Sequence, residues 1–517
     1  MLENGGLKPQ MPPERDVPRP IRAIAAPLVA LAAIGAAAWC LPGRAPGQVP
    51  AEHLSAASAL AGGQMLYRDL YCDQAPGLYI LYRMIVLAFG ASGSALWFAD
   101  ALAVTLSSLA VYLITRRFCR STLAAMLAGI AYPLLYYGAS TGVPAQPAGW
   151  AALLFLWALY LLAAHGFVAD WARALVGGFL AAAAVLICPA AIIPFLLLLA
   201  VARRMAGAAL ACFVLGVALC LLPVAVWLSA AHAFGDMREQ LLVWGLRAWR
   251  HRFNVAVGQS RAATVDALFL RWLWERLAFT LPGVIPFLAG LWAFARRRHG
   301  EPGGFLAFWL LLSLLELALR PGLPNSAWAP TLAIWSITGA AGLHLMLRQS
   351  SWFFWRVAAR TLIVCGLVLS ISHVRNAARP VAADRTVAGA LTTLAGRVRA
   401  ITPEGAPVLV WDRAPHLYYL IGRPAAGGVV SQGYFSSAFA VSDDYKFFRS
   451  RFEKRPAAVI LARRRRAGEG AGRTDGLWPV IPPRLGLIED EIAAHYALSG
   501  KVDGYEIFVR SANRQPR

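Results

Sequence analysis

The sequence predicts a polytopic α-helical membrane protein with about eleven membrane-spanning helices and a C-terminal α/β domain. Its 517 residues are 58% hydrophobic and only 15% charged, whereas soluble proteins carry about 25% charged residues. Apolar runs long enough to cross a bilayer recur between residues 23 and 373. After residue 374 the chain becomes charged and alternates apolar with polar residues, as β-strands do.

The net charge of +22 would indicate a nucleic-acid partner in a soluble protein. Here, however, the basic residues form short clusters between apolar runs, which is the pattern of membrane topology signals. We therefore predict no nucleic-acid partner and expect membrane lipids to surround most of the chain. The seven cysteines show no metal-ligand spacing, and six of them lie in or beside apolar runs, where they serve as small apolar residues.

Residues 1–22 are rich in proline and charge and are predicted to form a cytosolic tail. The first apolar run, 23–41, follows several arginines, as the hydrophobic region of a signal peptide does, but we favour an uncleaved anchor because many more spans follow. The two short runs separated by Cys188 and Pro189 predict a broken or tilted hairpin. After the first run, the predicted spans, including these two short runs, are 93–115, 121–138, 146–164, 173–187, 189–202, 207–230, 273–295, 304–319, 326–347 and 356–373.

The positions of arginine clusters predict the topology. All clusters share one side of the membrane if the N-terminus is cytosolic and the short apolar segment 77–90 does not cross. Segment 77–90 is therefore expected to lie along the outer interface as an amphipathic helix. This topology places loops 42–92 and 231–272, and everything after residue 374, outside the cytosol, with residues 23–373 as the membrane domain. The clusters are Arg116, Arg117 and Arg120; Arg203 and Arg204; Arg296, Arg297 and Arg298; and Arg348, Arg356 and Arg360.

The C-terminal region 374–517 is predicted to be a small α/β domain. Its strand-like runs are "APVLVWD", "AAVILA" and "GYEIFVRS". Between them, "ARRRRAGEGAGRTDG" predicts a mobile basic loop, with contact to lipid or polysaccharide as the alternative.

A family resemblance begins in the first predicted outer loop. The stretch "GGQMLYRDLYCDQAPGLYILYRMIVLAFGASGSALWFADALAVTLSSLAVYLITRRF" contains, in order, a Tyr-x-Asp, a proline turn, a short apolar helix, a Phe-Gly and a span that ends in paired arginines. This order resembles GT-C glycosyltransferases, in particular the bacterial glycosyltransferase family 39 branch with aminoarabinose transferases and lipopolysaccharide-core sugar transferases. A second stretch, "VLVWDRAPHLYYLIGRPAA", resembles a segment of the outer domains of these enzymes.

The sequence also departs from the family pattern. The acid that opens the first loop in the family would fall at Gln48 or Val49, and the nearest acid is Glu52. Gln74 and Ala75 stand where the family has a lysine and a proline. A His-Tyr pair near the late arginine is replaced by Ala and Trp at positions 327–328.

The resemblance implies a GT-C-like fold and an inverting transfer of a sugar from a polyprenyl-phosphate-linked donor to a lipid or glycan acceptor. The reaction would take place at the periplasmic face of the bacterial inner membrane. The departures keep an alternative open, namely a non-catalytic protein of this fold that binds a lipid-linked glycan or scaffolds an envelope assembly complex. A transporter is a third option, but no inverted repeats are evident in the sequence.

Sugar transfer from a lipid phosphate requires a base for the acceptor proton and positive charge for the departing phosphate. The resemblance implies that an acid of the first outer loop is the base, and the candidates are Glu52, Asp69 and Asp73. Asp69 and Asp73 are four residues apart, so on a helical turn they would share one face, and they could instead hold a divalent cation against a phosphate. The simpler alternative is that these acids only solvate a surface loop.

Candidate substrate-binding residues lie in three regions. The first loop provides Arg68 and Gln74, and the segment "LLVWGLRAWRHRF" of the second outer loop breaks the positive-inside pattern, which predicts a site for an anionic lipid headgroup or a surface anchor. In a later span, a carboxylate and an arginine four residues apart predict an ion pair near the outer surface. The resemblance implies that this arginine faces the donor phosphate. The residues of the last two regions are Arg247, Arg250, Arg252, Glu316 and Arg320.

Overall fold

The computed structural model of the protein describes most of the first 243 residues and most of the C-terminal α/β region. The described residues are 19–40, 48–139, 145–163, 170–202, 207–243, 246–247, 309, 329–349, 357, 360, 381–411, 414–430, 442–463 and 486–511. The predicted spans 273–295, 304–319 and 356–373 therefore lie almost entirely outside the described residues.

The described part up to residue 349 is helical. Eight of the predicted spans coincide with helices, within a few residues at each end. The helices that match them are α1 (Arg19–Cys40), α4 (Gly93–Cys119), α5 (Thr122–Ala139), α6 (Pro147–Ala163), α7 (Asp170–Ile187), α8 (Ile192–Ala202), α9 (Gly207–Ala230) and α11 (Ala329–Gln349). A short 3₁₀ turn, Pro189–Ala191, separates α7 from α8, so the predicted break at Cys188 and Pro189 is present.

Three of the described helices are long and apolar enough to cross a membrane: α4, α7 and α9. The remaining apolar stretches of the described part are shorter. The apolar helices support a membrane location, and the total of about eleven spans stays a prediction.

The predicted outer loop 42–92 contains two helices, α2 (Gln48–Ala61) and α3 (Pro76–Phe89). Helix α3 has a proline in its first turn and ends at Gly90, whose φ is 81°. Its 14 residues extend about 21 Å, less than the roughly 30 Å hydrocarbon core. One side of α3 is buried, whereas the other exposes Met84 and Leu87. An exposed apolar side on a short helix fits the predicted interfacial position.

Contacts between parts of the chain that are distant in sequence mark the two ends of the bundle. At one end, Tyr82 of α3 donates a hydrogen bond to the Ala145 carbonyl (2.7 Å), and Asp100 of α4 accepts from the Ala145 amide (2.8 Å). At the opposite end, Ser121 Oγ lies 3.2 Å from Nδ1 of His344. Arg116 and Arg117 lie in the last turn of α4, at this same end of the bundle. Which end faces the cytosol remains a prediction.

The C-terminal region contains a four-stranded mixed sheet of order β1-β2-β4-β3. Strand β1 (Val408–Trp411) is parallel to β2 (Val459–Arg463), and β4 (Tyr505–Arg510) runs antiparallel to both β2 and β3 (Tyr496–Val502). The helices of this region are α12 (Val381–Ile401), α13 (His416–Ile421), α14 (Ser442–Lys454) and α15 (Gly486–His495). Helix α10 (Phe234–Arg238) lies in the loop that is predicted to be the second outer loop.

The three strand-like runs of the sequence fall on β1, β2 and β4, so these strands were predicted correctly. Strand β3 was missed because its residues are mostly exposed and its register shifts between Leu498 and Gly500, which removes the alternating pattern. A signal was nevertheless present: Asp503 and Gly504 both have positive φ and form the tight turn between β3 and β4.

Candidate functional site

The segment between α2 and α3, residues 62–75, carries most of the predicted first-loop residues and is called the first-loop segment below. It is not helical. Asp69 and Asp73 therefore do not lie on a helical turn, so the condition for a shared helical face is not met. The spacing of four residues failed as an indicator because the chain turns at 67–69, with Tyr67 at a φ of 64°.

Asp69 is held by groups of its own turn. Its Oδ1 accepts from Nε of Arg68 (2.9 Å), and its Oδ2 accepts from Nη2 of Arg68 (2.8 Å) and from the Met65 amide (2.8 Å). The Arg68 hydrogen bonds, together with the Met65 amide and the nearby charges of Arg68 and Arg451, hold the pKa of Asp69 below its usual range, although partial burial opposes the shift. Asp69 is thus ionised and well supplied with donors, which suits a structural anion better than a proton acceptor.

Asp73 and Gln74 lie at the end of the first-loop segment, just before α3. Both side chains are partly buried. The backbone of Gln74 is fixed because its carbonyl accepts a hydrogen bond from the Tyr67 hydroxyl at 2.7 Å. Burial, and to a smaller extent the charges of Cys72 and Asp73, raises the pKa of Tyr67, so this hydroxyl remains a donor.

Glu52 lies in the first turns of α2. This helix is covered on most sides, since Ala51, Leu54, Ser55 and Ala57 are all buried, whereas Glu52 is only partly buried. Ala59, seven residues later and therefore on the same helix face, is also partly exposed. Glu52 thus occupies the less covered face of an otherwise buried helix.

His53 was missed by the sequence analysis. It is 2% exposed and packs edge-on against Tyr79 and Tyr82 of α3, with ring centroids 5.8 and 5.6 Å away. Its Nδ1 has no hydrogen-bond partner among the described residues, and burial lowers the pKa of His53 to about 3. A lone histidine in a loop gives no sequence signal of this kind, because the burial comes from helices that follow it.

Two distant regions hold the backbone of the first-loop segment. From the second outer loop, the buried Gln240 accepts from the Cys72 amide and donates to the Tyr67 carbonyl, both at 2.8 Å. From the C-terminal region, the Gly428 carbonyl accepts from the Tyr71 amide at 2.7 Å. Apolar side chains of the first-loop segment and of the C-terminal region share one core, which contains Leu66, Tyr67, Leu70, Cys72, Val408, Val410 and Leu417.

The predicted substrate-binding residues outside the first loop are only partly described. Arg247 forms an ion pair with Glu239 at 3.1 Å, so its charge is partly balanced within the protein. The other four, Arg250, Arg252, Glu316 and Arg320, lie outside the described residues.

Asp100, the acid within the second predicted span, is 2% exposed. It accepts from the Tyr136 hydroxyl at 3.0 Å and from the Ala145 amide at 2.8 Å. Its carboxylate therefore connects α4, α5 and the chain at Ala145.

Within the described ranges, no group of three or more His, Cys, Asp or Glu side chains is placed to hold a metal ion. The divalent cation considered for Asp69 and Asp73 thus gains no support from this part of the chain. Both oxygens of Asp69 already accept hydrogen bonds.

Apolar helices, a short helix with an exposed apolar side and a C-terminal sheet packed on the first-loop segment are the features of a membrane protein with an α/β extension. No family model and no curated protein matches the sequence. Among solved structures, the fold is similar to the crystal structure of ArnT from Cupriavidus metallidurans in the apo state, with a TM-score of 0.51 and 14% identity over 96% of this chain and 98% of that chain. This likeness shows a GT-C-like membrane fold.

Proposed function

We propose that the chain is an inverting glycosyltransferase that moves a sugar from a polyprenyl-phosphate-linked donor to a lipid or glycan acceptor at the periplasmic face of the bacterial inner membrane. The likeness to ArnT, an aminoarabinose transferase, supports a lipid-linked sugar transferase of GT-C type. The observation that carries the proposal is the partial burial of Glu52, Asp69 and Asp73. Acids that only solvate a surface loop would be exposed, whereas acids of a site face a partly enclosed space.

In the proposed step, the acceptor hydroxyl oxygen attacks the anomeric carbon of the donor. The bond between that carbon and the phosphate oxygen breaks, the acceptor proton passes to a carboxylate, and the polyprenyl phosphate leaves with the bonding electrons. One displacement inverts the anomeric carbon.

Glu52 is the best candidate for the base. Asp69 has a lowered pKa and three donors on its carboxylate, so it is a weaker proton acceptor. Asp73 and Gln74 lie just before α3 and are assigned to contact with the acceptor substrate or the sugar donor. Arg68 and the arginines of the second loop, with Glu316 and Arg320, are assigned to the phosphate end of the donor.

The direct experiment uses purified full-length protein in nanodiscs with undecaprenyl phosphate carrying a radiolabelled pentose or hexose. Total bacterial lipid and glycan extracts serve as acceptors. We expect label to move to an acceptor while undecaprenyl phosphate is released. Donor binding without release in every combination would favour the alternative of a non-catalytic glycan-binding or scaffold protein, which the residues at positions 48 and 74 leave open.

Donor binding can be tested separately in the second outer loop. Replacing Arg247, Arg250 and Arg252 together by Gln removes charge from an interfacial segment, so we expect weaker binding of undecaprenyl phosphate with unchanged folding. Unchanged affinity would reduce these arginines to surface anchors.

The proposed orientation has its own test. A reporter fused after Arg117 should be cytosolic and one fused after Arg379 should be periplasmic, because the arginine clusters fix both sides. A periplasmic reporter after Arg117 would contradict the interfacial position of α3. Two reporters on the same side would contradict the odd number of spans predicted between the two positions.

A further inference from the structure

The C-terminal region contacts the backbone of the first-loop segment at neighbouring residues. The Tyr71 amide donates to the Gly428 carbonyl at 2.7 Å. The Arg451 guanidinium donates to the Arg68 carbonyl. The Tyr71 side chain is buried in an apolar cluster with Phe448, which lies one helical turn before Arg451 in α14. Both polar contacts are made to main-chain groups, so they constrain the path of the first-loop segment.

Glycine is required at the closest approach. Gly428 has a φ of 72°, and a Cβ there would lie 2.1 Å from the Asp69 carbonyl oxygen. Gly427 has a φ of 70°, and a Cβ there would lie 2.4 Å from the Phe448 ring. Because the atom opposite Gly428 belongs to the backbone, a side chain at this position would push the first-loop segment away.

Arg451 connects both outer loops with the C-terminal region. It is partly buried, and burial lowers its pKa, while the carboxylates of Asp236 and Asp69 favour its charged form. Asp236 belongs to α10 of the second outer loop. Burial raises the pKa of Asp236, the positive charge of Arg451 opposes this shift, and the charge of Asp69 adds to it. The guanidinium therefore interacts with the charges of carboxylates from both loops while it donates to the first-loop backbone.

We propose that Gly428 and Arg451 are positioning residues, which fix the first-loop segment from the C-terminal side and so set the place of Asp73 and Gln74 relative to Glu52. This proposal rests on the function proposed above. The C-terminal region then controls turnover without contributing a group that touches the reacting atoms.

The experiment compares Arg451→Gln, Arg451→Lys and Gly428→Ala with wild type, each as the full chain in nanodiscs. Hydrogen exchange of residues 62–75 reports the loop, and transfer from the undecaprenyl-phosphate sugar reports the site. We expect exchange at Tyr71 to be faster by about tenfold or more in Arg451→Gln and Gly428→Ala. The kcat should fall by about tenfold while KM for the donor stays within about twofold, with partial recovery in Arg451→Lys.

Arg449→Gln is the matched control. Arg449 lies on the same helix and forms an exposed pair with Glu453 at 2.6 Å, so both readouts should equal those of wild type. Unchanged exchange in Arg451→Gln and Gly428→Ala would overturn the proposal, and so would faster exchange with unchanged kcat or equal effects in Arg449→Gln. Absence of transfer by wild type would refute the proposed function instead, and the exchange measurement would still decide whether these residues fix the loop.

Discussion

The α7–α9 helix pair and the first-loop segment are held in different ways. In the helix pair, glycines allow backbones to touch: a Cβ on Gly178 would lie 2.1 Å from the Phe213 carbonyl oxygen, and one on Gly216 would lie 2.0 Å from that of Leu175. Small residues at helix contacts are typical of membrane proteins, where lipid supplies no hydrophobic drive for association. The backbone of the first-loop segment is instead fixed by polar groups that are distant in sequence, such as Gln240 and Arg451, in addition to its apolar contacts.

This difference separates what supports the fold from what shapes the candidate site. Apolar packing between helices tolerates the exchange of one apolar side chain for another of similar volume. It does not tolerate a new side chain at a position where two backbones touch. Buried polar contacts contribute little net stability when made, but are costly when one partner is removed. We therefore expect changes in the helix pair to destabilise the whole protein and changes around the loop to act locally.

The largest effect is expected for Gly216→Ala. The added Cβ meets backbone atoms of α7, so the helices must separate, and unfolding free energy should fall by about 3 kcal/mol or more. Denaturant unfolding in detergent measures this loss. The control is Gly207→Ala on the same helix, where a Cβ meets nothing within 4 Å. Equal stability of the two variants would show that α7 and α9 are not in close contact.

A smaller effect is expected for Gln240→Ala, which leaves the Cys72 amide and the Tyr67 carbonyl without their partner. The cost should be about 2 to 4 kcal/mol, with faster hydrogen exchange confined to the first-loop segment. Glu239→Gln, next to it, removes only an exposed ion pair and should change stability by less than about 0.5 kcal/mol. If exchange is unaltered in Gln240→Ala, the bridge between the outer loops does not exist.

The smallest effect concerns pH and His53. The pKa of this histidine falls from 6.5 to about 3 on folding because of burial. At pH values between these two pKa values, the unfolded chain binds a proton that the folded chain does not. Its contribution to stability is complete above pH 6.5 and is lost as pH decreases, by about 1.4 kcal/mol for each pH unit.

Comparison of wild type with His53→Gln isolates the pH-dependent contribution of His53 to the free energy of unfolding. Between about pH 6.5 and 4.5 most carboxylates stay ionised, so the wild-type unfolding free energy should fall more steeply than that of the variant. Parallel pH dependence in both proteins would place His53 in contact with water.

Much of the fold could be predicted from local pattern. Apolar runs gave the described spans, a charge argument gave the position expected for α3, and alternation gave β1, β2 and β4. Helix α2 was less evident, although its Ala and Leu residues favour helix.

The site was less predictable. Acids of the first loop could be named from a resemblance, but the Arg68 and Met65 contacts of Asp69 depend on a turn that its spacing from Asp73 did not reveal. His53, Gln240 and Gly428 gave no signal, because each gains its role from residues far away in sequence.

The central claim is that Glu52 accepts the acceptor proton during transfer of a lipid-linked sugar. The most direct measurement is turnover of an undecaprenyl-phosphate sugar by wild type and by Glu52→Gln, with binding of undecaprenyl phosphate recorded in parallel and Glu404→Gln in the C-terminal region as control. Glu52→Gln is expected to keep binding but to lose a factor of about 10² to 10⁴ in rate, because a general base contributes that much. Full transfer by Glu52→Gln would contradict the role of Glu52 as the base.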